Sequence, residues 1–188
     1  MIRGIIAAGL VMLIFPLAFA EEGESAPEGT SYVTGPAIGV GADKNSEARD
    51  WAMCSAAYKV AAQMFFESGS ASAKRTSDLG NGAEVAAWVT LIVPIVSEMA
   101  EQESPDPERF ATAWEMTKTT SEGMVESAIT RLASDLEIHR SKGTFGQWAA
   151  DLGRTVEVCA DNSKLQEMKL DVMREFMTSG LLTLPEEN

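Results

Sequence analysis

The stretch 46–66 limits the fold more than any other part of the chain. Trp51, Cys54, Tyr58, Ala61 and Phe65 recur at the three-and-four spacing of one helix face, and Met53, Ala57, Val60 and Met64 form a second apolar seam about 100° round the axis. Only a narrow polar strip around Ser55, Lys59 and Gln63 remains. A helix apolar over so much of its circumference is buried by several neighbours, not laid on a surface. The sequence therefore predicts an all-α, single-domain bundle with this helix at its centre. Ser46 is the expected N-cap, with Glu47 and Asp50 in the first turn, where they favour the positive end of the helix dipole.

Further helical segments bring the expected bundle to about five. Residues 67–82, rich in serine, alanine and glycine, read as a loop that ends where Asn81 and Glu84 make a capping pair. Residues 85–96 are almost wholly apolar and by themselves too short to span a bilayer. Their alanine and glutamate flanks favour helix over a buried strand, and Pro94 is expected to kink or divide that helix near Leu91. Asp106 as cap and Pro107 at the first helical position then open a helix of roughly 35 residues, about 50 Å long. Phe110, Trp114, Thr117, Met124, Ala128, Leu132, Leu136 and His139 share one face of it, while Gly123 and the stretch 117–121 are its weak points. Thr144 and Gln147 form the next capping box, ahead of a stripe of Phe145, Trp148, Ala149, Leu152, Val156 and Cys159. Ser163 and Gln166 restart the pattern for a last stripe of Leu165, Met168, Val172, Met173 and Phe176, which Gly180 ends. The bundle domain is thus expected over 46–180, followed by a short tail, 181–188.

The N-terminal end has the layout of a secretory signal peptide, 1–20: Arg3 early, an apolar run, then Ala18, Phe19 and Ala20 before a pair of glutamates. A signal peptide implies export to a bacterial periplasm or beyond, with no stable membrane insertion after cleavage. Residues 21–45, with their glycines, prolines and acids, read as a flexible leader in which Tyr32, Val33, Ile38 and Val40 are positioned to lie against the domain as a short extended piece. Cys54 and Cys159 are the two cysteines of a chain read as exported, so a structural disulfide between them is expected. It would close a loop of roughly 100 residues, worth about 4 to 5 kcal/mol in the chain-entropy model.

A net charge of −13 at pH 7, with basic residues only in isolated pairs, disfavours nucleic acid and anionic membrane surfaces as partners. The single histidine, His139, sits near a helix C-terminus without a nucleophile signature, and no phosphate loop, haem motif or di-metal motif occurs. No catalytic residue, metal ligand or cofactor is therefore assigned. Met168, Met173 and Met177 have a spacing that suits core filling better than a copper site.

Trp51-x-x-Cys54 early and Val156-x-x-Cys159 late, followed by a polar break and a charged amphipathic helix, resemble the layout of small periplasmic acid-stress chaperones. That resemblance implies a client-binding protein that opens at low pH. The leading expectation is a non-enzymatic binding or interaction protein. Its site is an apolar groove at Trp88, Leu91, Ile92 and Ile95, and its partner a protein or a small apolar ligand. An acid-stress chaperone and a hydrolase with an unrecognised carboxylate pair are the alternatives.

Overall fold

The computed structural model describes residues 29–33, 38–39, 43–101 and 106–178. The expected signal peptide, Val40 and the tail 181–188 lie outside them. The described residues form five helices and no strand: α1 (Lys44–Glu67), α2 (Ser72–Ala100), α3 (Pro107–Ser141), α4 (Phe145–Asp161) and α5 (Ser163–Thr178).

Helix α1 is the hub that its composition predicts. Residues 51–58 are eight consecutive buried positions, and α1 packs against α2, α3 and α4. Its cap is Asp43, not Ser46: the Asp43 carboxylate accepts a hydrogen bond from the Ser46 amide at 3.0 Å. Two parts of the expected pattern are corrected. Ser55, assigned to the polar strip, is completely buried, while Met64, Phe65 and Phe66 project, Phe66 at 73% exposure. The tight turn 68–71, with Gly69 at φ +71°, sends α2 straight back along α1 and leaves the last turn of α1 at the bundle's end.

The loop expected over 67–82 is a correction of the same origin. Ser72 already lies in α2, and Asn81 is inside the helix, not at its start. The glycines that suggested a loop are contact points between helices. A Cβ on Gly80 would sit 3.3 Å from the Ser55 carbonyl oxygen and 3.1 Å from Lys59 Cγ, and one on Gly82 would collide with the Gln166 side chain. With Ala83 and Ala87, Gly80 lets the backbones of α1 and α2 approach closely. Pro94 does not divide α2 either. It lies on an exposed position, and the helix continues to Ala100.

Helix α3 has the expected start and 35-residue length, with the Asp106 carboxylate accepting from the Glu108 and Arg109 amides at 3.0 and 3.3 Å. Gly123 faces open space and does not interrupt it. In α4, Trp148, Leu152, Thr155, Val158 and Cys159 are buried. The Thr144 side chain makes no cap there; its hydroxyl lies 2.9 Å from His139 Nδ1 at the corner between α3 and α4. The last stripe is displaced: Gln166 is the buried residue of α5, and Met168 is 64% exposed.

Part of the segment expected to be a flexible leader is packed on the bundle. The Thr30 amide donates to Asp151 Oδ1 at 2.7 Å and the Tyr32 amide to Thr155 Oγ1 at 2.9 Å. Val33 and Ile38 are 4% and 2% exposed and belong to the main core cluster.

Cys54 and Cys159 form a disulfide with Cα atoms 5.6 Å apart and no exposure, pinning α4 to α1. Replacing both with alanine is expected to lower the free energy of unfolding by about 4 kcal/mol, mostly by freeing the unfolded chain. Urea denaturation of the double variant measures it. A loss below about 1 kcal/mol would show that helix packing alone fixes α4.

Candidate functional site

The four residues expected to line one groove divide between two environments. Trp88 is half-buried, its Nε1 donating to Thr117 Oγ1 at 3.0 Å and its ring edge-on to Trp114 with centroids 4.2 Å apart. Ile92 is completely buried. Leu91 and Ile95 are half-buried. Trp88, Ile92, Ile95 and Met99 follow helical spacing along one face of α2, and the Trp88 bond places that face against α3. Trp88 and Ile92 are thus part of the packing between helices, not an open groove.

Helical spacing exposes a different apolar row on α2. Gly82, Ala86, Val89, Val93, Val96 and Ala100 follow one another by steps of four and three residues. Helix α5 takes the start of this row, with Gln166 and Leu170 against Gly82. Only eight residues of α5 follow Leu170, an advance of about 12 Å, whereas Gly82 to Ala100 spans about 27 Å. Accordingly Ala86 and Val89 are buried, Val93 and Val96 half-buried, and Ala100 exposed. On the opposite flank, α2 has 29 residues and its antiparallel neighbour α1 only 24. The outer third of α2 is therefore apolar on most sides, and among the described residues its main neighbour is α3. Sequence reasoning placed the groove at Trp88, Leu91, Ile92 and Ile95 and left out Val93 and Val96, because apolar spacing alone does not tell which face of α2 its neighbours cover.

By length and composition α2 would also suffice to cross a membrane, with a mean hydropathy of 1.5 over 18 residues. The helix extends well beyond the stretch 85–96, which explains the difference from expectation. Of that window 44% is buried in the bundle, so the excess apolar surface is a property of one part of α2.

The buried carboxylates among the described residues are Glu47 and Asp50, both early in α1. Lys169 Nζ of α5 lies 2.6 Å from Glu47 Oε1, and Lys44 Nζ lies 3.3 Å from its Oε2. Gly39, at φ +81°, passes over the same side chain. Burial pushes the Glu47 carboxyl up, but hydrogen bonds and charge from Lys169 and then Lys44 outweigh it and hold the group below the ordinary glutamate range. A general acid needs the opposite shift, so Glu47 acts as a fastening between α1 and α5.

Among the described residues no three His, Cys, Asp or Glu side chains are grouped to hold a metal ion. His139 Nδ1 lies 3.1 Å from the Thr144 carbonyl oxygen and ties the α3–α4 corner. Met168 and Met177, read as core filler, are instead exposed. An open cleft of about 340 Å³ lies at the α1–α2 turn beside Phe66, Lys59 and Lys74. Its lysines are paired with Glu84 and Asp78, respectively, and no catalytic constellation converges on it. Comparison with family models, curated proteins and solved structures finds no match to this chain.

The Glu47 fastening gives a signed pH dependence. A lowered folded-state pKa contributes stability that is present above the ordinary glutamate value and is lost as pH falls through the folded value. Glu47→Gln is expected to cost about 3 kcal/mol near pH 7 by leaving Lys169 without its partner. The gap between variant and parent should narrow in urea titrations below about pH 4. A pH-independent gap would mean that the side chain acts by packing alone.

Proposed function

We propose that this chain is a non-enzymatic binding protein and that its partner docks on the outer part of α2. The observation that carries the reading is the apolar row of α2, which α5 covers at Gly82 and leaves half-open at Val93 and Val96. Helices apolar over most of their surface are stable in water only when neighbours cover them. Among the described residues the outer third packs mainly on α3, and an apolar face of a partner protein laid in line with α5 would supply a second neighbour. A helix flank of this kind fits an extended apolar surface better than it encloses a small molecule.

Export is part of the proposal. The signal-peptide layout of residues 1–20 supports it, and a buried disulfide suits an oxidising compartment. The acidic composition favours partners that are neutral or basic outside their apolar contact.

A photo-crosslinking side chain placed at position 96 of the otherwise unchanged protein, in the cells that make it, is expected to give a discrete protein adduct. The same group at exposed Glu126 should not. Val93→Glu combined with Val96→Glu should abolish the adduct formed from position 100 while leaving the helix content unchanged. Identical adducts at positions 96 and 126, or none at either, would overturn the docking surface.

A further inference from the structure

Residues 29–33 are held as a bound peptide is held. Asp151 and Thr155, one turn apart on α4, accept from the amides of Thr30 and Tyr32, two residues apart in the segment. One helical turn of four residues advances about 6 Å and two residues of extended chain about 6.6 Å, so the helix reads alternate amides in register. Gln147 Nε2 donates to Asp151 Oδ1 at 2.9 Å and steadies that carboxylate. At one end, Gly29 lies against the Ala150 carbonyl so closely that any Cβ would overlap it. At the other, the Tyr32 ring sits under the Arg131 guanidinium, 5.3 Å from carbon to centroid, with the Asp135 carboxylate of α3 near its hydroxyl. Burial, with the nearby carboxylates of Asp135 and Asp151, raises the Tyr32 phenol to about 12 against the pull of Arg131, so it remains a donor. Val33 enters the core.

We infer that the groove between α3 and α4 is a recognition site for an extended segment carrying glycine, two residues, tyrosine and then a β-branched residue. It is filled here by the chain's own residues 29–33 and open to the same segment of a second copy. The choice of partner follows from chemistry: another copy presents the matching sequence in full. The segment is held by two backbone hydrogen bonds worth about 1 kcal/mol each, the Tyr32–Arg131 contact and the burial of Val33, a small share of the contacts that hold the bundle, so it opens more readily than the bundle unfolds. The chain's own segment competes at an effective concentration in the millimolar range, so exchange is to be seen when that competition is weakened.

Two full-length variants separate the roles. Tyr32→Ala weakens the segment and keeps the groove; Asp151→Ala with Arg131→Ala damages the groove and keeps the segment. Mixed at several hundred micromolar, they are expected to sediment as a one-to-one complex, while each alone remains a monomer. A synthetic peptide with the sequence of residues 28–34 should bind Tyr32→Ala saturably, at least tenfold more tightly than it binds the groove variant. If Tyr32→Ala fails to fold, Gly29→Ala serves as the acceptor. Peptide binding without a mixed complex would overturn the second copy as partner. No peptide binding to either acceptor would overturn the recognition site.

Discussion

The close approach of α1 and α2 is the contact on which the rest of the molecule depends. A Cβ on Gly80 would crowd the Ser55 carbonyl oxygen at 3.3 Å and Lys59 Cγ at 3.1 Å, and Ala52, Ala56, Ala83 and Ala87 are buried alongside. Small residues leave little side-chain area for hydrophobic stabilisation, but they bring two backbones together and free the other faces of α1 for α3 and α4. The seam has a cost. Ser55 Oγ and Trp51 Nε1 are buried without a hydrogen-bond partner among the described residues, worth roughly 1 to 3 kcal/mol each. The disulfide, the aromatic packing of Trp148 and the fastening of α5 through Glu47 all attach to elements that this seam has already placed.

Much of that arrangement is legible in the sequence, and the failures share a cause. The helix caps at Asp106 and Pro107, the 35-residue α3 and the pairing of Cys54 with Cys159 follow from local chemistry or from counting. Gly80, Gly82 and Asn81 misled because loop-like composition and small-residue helix contacts use the same residue types. Only the partner helix tells them apart. Met168 and Gln166 exchanged roles for a related reason: α5 meets a glycine on α2, and a long amide reaching the Leu79 carbonyl at 3.2 Å fits there. The segment at Tyr32 carried a weak apolar signal, but the carboxylates that fix it lie more than a hundred residues away.

The candidate site was legible in composition and not in position. The high apolarity of residues 85–96 pointed to α2, yet which residues remain uncovered depends on where α1 begins and where α5 stops. Trp88 and Ile92 are consumed by α3 and the core. Val93 and Val96 stay half-open beyond the part of the row that the described residues of α5 cover at Gly82. The bundle is thus most closely packed around α1, which meets α2, α3 and α4, and the proposed binding surface lies on the outer end of α2, away from that centre. The α3–α4 groove adds a separate recognition surface, built from polar side chains that read a backbone.

If α1 is the hub, its amides open only when the whole bundle does. Native-state hydrogen exchange resolved by residue tests this most directly. The account predicts that amides of residues 51–58 exchange with the free energy of global unfolding, while those of α5 and of the outer end of α2 exchange through smaller openings. Amides of residues 51–58 exchanging as readily as those of α5 would contradict it.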